Sequence, residues 1–377
     1  MIVDVDPKQT YPTVGVLNRG RGLLYRDALA GSATAYKTLN RIGPGVLVYS
    51  RLKAFEGAIT VTPDDLPESF ASQEFPTFEF APDASPGFFR ILTTTQIMWD
   101  ALQGVSKGMG GRRERVKPGD FLSIVMDIPP LPLQQRIVEV VGAVDKQIAA
   151  LNAEVTALTA VLRRFRAQLI NDLGVPAVRA DEAFEITMGR QRAPKYAAGP
   201  YMTPYLRSAN VGYGELDLTD VLEMNFEPIE REVFGLVPGD VLVSEGSASH
   251  SAVGMSAMWR GELPQPICFQ KTLMRYRAIQ GTSIPAFVNH WCQWAYESGA
   301  FLDVAGGTNI KHITAMRAVR MLVHLPDVRT QERLTDQLDA MSNVIAAHRA
   351  EASRLSAVRT RLLSRLLDRT IEIEDAE

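Results

Sequence analysis

Cysteine is nearly absent from this chain: its 377 residues include two, Cys268 and Cys292. Two isolated thiols make neither a metal-ligand cluster nor a disulfide framework. Histidine is almost as scarce, and His250, His290, His312, His324 and His348 are scattered without metal-ligand spacing. No apolar run approaches the length of a membrane span, and the opening MIVDVDPKQT has no signal-peptide pattern. A cytoplasmic protein is the expectation. Reaction motifs are missing too. GVSKGMGGR has glycines and a lysine but not the order of a phosphate-binding loop. No G-x-G-x-x-G follows a strand, and no H-E-x-x-H or G-x-S-x-G occurs. GSASHSAVG sets Ser beside His, yet neighbours on one loop seldom assemble a nucleophile and its base. The expectation is a chain with no catalytic residues, no metal and no cofactor of its own.

Strong net charge is lacking as well: the balance is −3, which is not the footprint of a very basic nucleic-acid binder. Its distribution says more. Between Arg19 and Lys53 stand seven Lys or Arg (Arg19, Arg21, Arg26, Lys37, Arg41, Arg51, Lys53) against one acid, Asp27. Glu56 to Asp83 then holds seven acids and no Lys or Arg. Lys107, Arg112, Arg113, Arg115 and Lys117 cluster around Glu114. Such segregation builds either a positive groove on a near-neutral protein or a set of solvated loops.

What the chain has in plenty is internal repetition. PPLPLQQRIVEVVGAVDKQIAALNAEVTALTAVLRRFRAQL, from Pro129, returns as HLPDVRTQERLTDQLDAMSNVIAAHRAEASRLSAVRTRLL, from His324. Setting Gln134 on Gln331 aligns them without a gap and brings Ile148-Ala149-Ala150 onto Ile345-Ala346-Ala347. In the first copy Ile137, Val141, Val144, Ile148, Leu151, Val155, Leu158, Leu162, Phe165 and Leu169 follow steps of four and three, a coiled-coil seam. The second continues the register with Leu334, Leu338, Met341, Ile345, His348, Ala352, Leu355, Arg359, Leu362 and Leu366. Polar residues in a seam usually fix register, which is the reading for His348 and Arg359. Each helix runs for roughly 38 residues, about 57 Å, and must bury its seam; the other copy is the obvious partner. The expectation is an antiparallel coiled coil with a globular domain toward each end of a rod.

The segments preceding the two helices also match. GPGVLVYSRLKAFEGAITV answers VPGDVLVSEGSASHSAVGM, each a Pro-Gly turn, a short strand, a polar loop and a second strand. FASQEFPTFEF and ICFQKTLMRYR then read as strands, and PGFFRILTTTQIMWDALQG and IPAFVNHWCQWAYESGAF as helices. Polar glycine-bearing loops follow, SKGMGGRRERV and AGGTNIKHI. The expected fold is therefore a mixed α/β (α+β) chain with an internal pseudo-twofold repeat. Its divisions are 1–130, a short globular domain; 131–173, a spacer helix; 174–325, a second globular domain; 326–368, a second spacer helix; and 369–377, an acidic tail. The first domain is expected to lack the strand-rich opening that DEAFEITMGRQRAPKYAAGPYMTPYLRSANV supplies to the second.

With GGRRERVKPGDFLSIVMDIPPLPLQQRIV at its first junction and GTNIKHITAMRAVRMLVHLPDVRTQERL at its second, this organisation resembles the specificity subunit of type I restriction-modification systems over essentially the whole chain. GRGLLYRDAL, VYSRLKAFEGAI and SQEFPTFEF also resemble one type of target recognition domain. The resemblance implies a non-catalytic reader of double-stranded DNA in which each recognition domain reads half of a split target and the helices set the gap. It implies two methyltransferase subunits that bind S-adenosylmethionine, and restriction subunits that use ATP and Mg. A twofold repeat in one polypeptide would offer two similar faces to two identical partners. Two rivals stand beside it: a scaffold that binds only proteins, and the reader of another DNA-modifying phage-defence system.

Arginine pairs with guanine edges, Asn and Gln with adenine, and Lys and Ser more often with phosphate. On that chemistry the first domain nominates Arg19, Arg21, Tyr25, Arg26, Lys37, Arg51, Lys53, Lys107, Arg112 and Arg113 for DNA. GRQRAPKY, YLRSAN and GGTNIKH nominate Arg190, Gln191, Arg192, Lys195, Arg207, Ser208, Asn210, Asn309 and Lys311 in the second. For each the bland reading is a surface residue or a contact with the methyltransferase.

Overall fold

The computed structural model describes residues 2–106, 115–171, 174–247, 249–308 and 310–367, without the side chains of Ser247 and His250. It divides into two compact units, Met1–Ala150 with Ala352–Glu377, and Leu151–Glu351. Each long helix is thus shared between the units instead of standing apart from both. Among the described residues no helix is long and apolar enough to cross a membrane.

In the first unit β1 (Ile2–Asp4), β2 (Thr10–Val16), β3 (Leu23–Ala30) and β4 (Thr38–Ile42) precede β5 (Leu47–Tyr49), β6 (Ile59–Val61), β7 (Ser69–Ala71) and β8 (Thr77–Phe78). Five of these form a sheet in the order β1-β4-β7-β2-β3, and a smaller one runs β6-β5-β8. The expectation of a strand-poor opening is corrected here. Residues 24–28 are all exposed because β3 is an edge strand, so the two-residue alternation that marks a half-buried strand is missing. Three helices follow, α1 (Pro86–Leu92), α2 (Gln96–Gly104) and α3 (Pro118–Leu122), and then α4 (Leu131–Asn171).

The second unit opens with β9 (Ala177–Arg179), α5 (Ala180–Ala183), β10 (Phe184–Met188), β11 (Met202–Leu206), β12 (Leu222–Asn225) and α6 (Pro228–Phe234). It continues with β13 (Val241–Ser244), β14 (Gly246–Ser247), β15 (Ser256–Met258), β16 (Cys268–Phe269), β17 (Leu273–Ala278), α7 (Pro285–Glu297) and α8 (Ala300–Val304). β18 (Lys311–His312), α9 (Ala315–Ala318), β19 (Leu322–His324) and α10 (Val328–Leu367) complete it. The main sheet, β10-β17-β13-β15, is antiparallel throughout. Cys268 and Cys292 are free and fully buried, and burial pushes the Cys268 thiol up to about 12, so neither is a reactive thiolate.

The repeat holds at atomic detail. The run β6-β5-β8 of the first unit has the order and antiparallel sense of β15-β13-β17 in the second. Gln134 accepts at Oε1 from the backbone N–H of Ser85 (2.8 Å) and donates from Nε2 to the carbonyls of Pro129 (2.8 Å) and Asp83 (3.3 Å). Gln331 accepts from Ile284 (3.0 Å) and donates to Pro326 (2.8 Å) and Thr282 (2.8 Å). Ser85 and Ile284 are the residues capping α1 and α7, so each buried amide ties a long helix to the start of a domain helix.

All the seam positions named from sequence are buried or half-buried. In the first unit Ile137 and Val141 share a core with Leu363 and Leu366, and Asp145 pairs with Arg359. In the second, Leu158 and Leu162 pack with Leu338, Met341 and Ile345, and Glu154 meets His348 at 3.3 Å. Numbers rise along α4 as they fall along α10, so the helices are antiparallel in each unit. The two polar seam residues each face an acid of α4.

Candidate nucleic-acid interface

In the first unit the turn Asn18–Gly22 joins β2 to β3 and docks on the loop after β5. Arg19 N–H donates to Glu56 O (3.1 Å) and Gly20 N–H to Gly57 O (2.9 Å). Gly20 has φ +61, and a Cβ there would lie 2.4 Å from Thr93 O, so the close approach requires glycine. Arg19 itself takes φ 57, uncommon for a residue with a side chain. This docking gathers exposed Arg19, Arg21 and Lys53 around Glu56, which bonds Asn18 and lies 3.7 Å from Lys53. Tyr25 and Arg26 stand on the exposed edge strand β3, with Arg26 reaching over Gly15. Arg21 and Tyr25 line a groove of about 670 Å³ that also includes Arg90, Asp64 and Asp65. Lys37 precedes β4, its carbonyl accepting from Val5 N–H, apart from that cluster. Arg51 is half-buried in the loop after β5. Lys107, Arg112 and Arg113 lie outside the described residues.

The segregated charges in the sequence meet in the fold. Arg41 pairs with Glu68 (3.0 Å), Arg90 with Asp64 (3.3 Å) and Arg115 with Glu74 (3.5 Å). Part of the basic stretch is therefore answered by the acidic one, because β4 and β7 are neighbours in one sheet. Arg19, Arg21, Arg26 and Lys37 are exposed and form no ion pair among the described residues.

In the second unit three separated segments are knit around Gln270–Thr272. Arg190 N–H donates to Phe269 O (3.2 Å), Lys271 N–H to Arg190 O (2.8 Å), and Ser208 Oγ–H to Thr272 O (2.9 Å). A Cβ on Gly189 would lie 2.2 Å from Gln270 O, so only glycine admits this approach. The row of loops continues through Glu245, whose N–H donates to Thr272 O (2.9 Å), to Ile313, whose N–H donates to Glu245 O (2.8 Å). Gln191, Arg192, Lys195, Ser208 and Lys311 thus fall on one contiguous loop layer. Gln191 and Lys195 share a groove of about 480 Å³ with Lys271, a cation that sequence reasoning passed over because it sits in a two-strand hydrophobic run. Asn309 lies outside the described residues.

Three nominated residues do structural work within the chain. Arg190 is buried, paired with Glu230 at 2.9 Å, bonded to Asn225 O, and stacked on Tyr196 with 3.5 Å from its guanidinium carbon to the ring centre. Buried Asn210 accepts from Arg207 N–H (3.0 Å) and donates to Asp217 O (2.8 Å) and Asp220 O (3.0 Å). Arg207 pairs with Asp220. They shape the loops that carry their neighbours. Among the described residues no group of three or more His, Cys, Asp or Glu could hold a metal ion.

No protein-family model and no curated protein matches the sequence. Solved structures do match in shape. A chain from a structure concerned with complex assembly and conformational transition of the type I R-M system is 16% identical, with a TM-score of 0.62 over 97% of each chain. The type I restriction-modification system S subunit from M. genitalium is 10% identical, with a TM-score of 0.50 over 100% of this chain and 94% of that one. Along its whole length, this chain is folded as those type I restriction-modification proteins are.

Proposed function

We propose that this chain is the non-catalytic specificity subunit of a type I restriction-modification complex. Each unit reads one half of a two-part DNA target, with α4 and α10 as the connection that fixes the gap. The observation that carries the reading is the duplication: two units that share a three-strand run of the same order and sense, and the same helix anchor through Gln134 and Gln331. One polypeptide with two such halves suits a bipartite site and two identical methyltransferase partners. S-adenosylmethionine, ATP and Mg belong, on this reading, to partner subunits. Exposed Arg19, Arg21 and Arg26 in one unit, and Arg192, Lys195 and Lys271 in the other, supply the cations that phosphates and guanine edges demand.

The test is a methylation assay with the purified chain, a cognate methyltransferase, and both together. The chain alone is expected neither to methylate nor to cleave DNA, and the mixture to methylate a two-part site. Methyl transfer by the chain alone, or a methyltransferase whose site choice ignores it, contradicts the proposal.

A further inference from the structure

The internal repeat places residues of opposite charge at one position of the two units. In the first, Arg51 N–H donates to Glu74 O (2.9 Å) and Arg51 O accepts from Val116 N–H (3.0 Å). In the second, Glu245 N–H donates to Thr272 O (2.9 Å) and Glu245 O accepts from Ile313 N–H (2.8 Å). Val116 and Ile313 are both fully buried, and the ungapped helix alignment, extended backwards, sets one on the other. Arg51 and Glu245 are therefore equivalent by backbone bonding on both sides, not by sequence likeness.

Their charged surroundings differ. Near Arg51 stand Glu74 and Arg115, themselves paired at 3.5 Å. The charged neighbours of Glu245 are Lys271 and His312. Among the described residues the Glu245 carboxylate has no hydrogen-bond partner, although its backbone is clamped between β14–β18 pairing and the Thr272 carbonyl. Burial raises its carboxyl above the ordinary range against the pull of its neighbours Lys271 and His312. A half-desolvated carboxylate without a donor, on a layer otherwise offering Gln191, Lys195 and Lys271, is unfavourable beside phosphate unless something donates to it. A base edge with an exocyclic amino group does so; the N4 amino group of cytosine in the major groove is the foremost case. The guanidinium at the equivalent place suits the opposite edge, the O6 and N7 acceptors of guanine.

Resting on the DNA-reading role proposed above, we infer that Glu245 is a specificity-determining residue of the second half-site. It accepts from the amino group of a base, cytosine foremost, while Arg51 at the equivalent position reads an acceptor edge in the first. Lys271 flanks the carboxylate and offsets its charge as it approaches the phosphates.

The experiment selects methylated sequences from a randomised duplex library, using the full chain with its methyltransferase, for wild type, Glu245→Gln, Glu245→Arg and Arg51→Glu. Glu245→Gln is expected to cut the preference for cytosine at one second-half position by about tenfold or more and to move it toward adenine, whose N6 and N7 an amide matches. Glu245→Arg should move that position toward guanine, and Arg51→Glu should alter one first-half position only. Thermal unfolding of each variant separates a lost preference from a lost fold, and the Arg51 variant tests the same equivalence if a Glu245 variant unfolds. A second-half consensus unchanged in folded Glu245 variants, or a uniform loss over all sequences, overturns the inference while leaving the reader role intact. A wild-type complex with no two-part preference overturns the reader role and the inference together.

Discussion

Arg166 of α4 donates through Nε to Nδ1 of His290 on α7, at 3.3 Å, with both side chains buried. The same guanidinium pairs with Glu297 at 2.5 Å, Tyr213 donates to Glu297, and His290 Nε2 meets Asp339 of α10 at 2.9 Å. This charged joint holds α4, α7 and α10 together inside the second unit. In the helix alignment Leu363 stands where Arg166 stands, and the first unit buries it in an apolar cluster with Ile91 and Met98. One scaffold has been closed by charge in one half and by hydrocarbon in the other.

Arg166→Leu should therefore be costly, about 3 kcal/mol, because it takes from the buried Glu297 carboxylate its nearest cation and leaves it Tyr213 and, at 3.5 Å, Arg163. Arg166→Leu with Glu297→Met should recover much of that loss, since the first unit shows that an apolar joint is viable. Chemical unfolding of the two variants checks this; equal losses would show that Arg166 acts through packing alone.

The joint gives stability a pH dependence of definite sign. Burial holds the His290 pKa below its ordinary value of 6.5, and Arg166, as a donor to Nδ1, needs the neutral ring. The unfolded chain takes up the proton first as pH falls. Stability is then fully present above about pH 6.5 and declines below it, until the folded ring also titrates. His290→Gln should flatten unfolding midpoints between pH 7 and 5 relative to wild type, and an unchanged slope would assign the dependence elsewhere.

Gln134→Leu and Gln331→Leu should each cost roughly 2–4 kcal/mol, because backbone groups at the start of a domain helix lose their partner where they are buried. The losses should be of similar size, since the two amides make matching bonds. Thermal unfolding with each variant measures them, and a large asymmetry would contradict the functional equivalence of the two anchors.

Asp145 and Arg359 join α4 and α10 by two hydrogen bonds. Reversing Asp145 alone should cost about 1 kcal/mol, as the pair is partly exposed. The exchange Asp145→Arg with Arg359→Asp should return most of it. If the exchange is as poor as the single change, the pair does not set the register of these helices.

The helices, their seam and the duplication were legible because a heptad repeats over many turns and a gap-free alignment needs no tertiary information. The strand pairs after each Pro-Gly turn were legible from short Val and Leu runs between polar loops. β3 was not, because an edge strand with five exposed residues carries no alternation. Charge was legible as blocks but not as pairs: Arg41 meets Glu68 only because β4 and β7 are neighbours. Arg190 and Asn210 looked like reading residues from their type, and the fold buries both. Lys271 and Glu245 gave no sign, since their nearness to each other depends on loops that only folding brings together.

The reading of each half by its own unit predicts local effects. Arg192→Ala should weaken or relax only the second half-site, by about 1–3 kcal/mol for a base contact and by a smaller, sequence-blind amount for a phosphate contact. Arg21→Ala should act only on the first. Methylated-site mapping with either variant checks this, and equal changes in both halves would contradict two separate readers.

The most direct measurement maps methylated bases across the host genome with and without this gene. The account predicts a two-part sequence with an unspecified gap that is methylated when the gene is present and unmethylated when it is removed. A methylation pattern that is the same in both strains would contradict it.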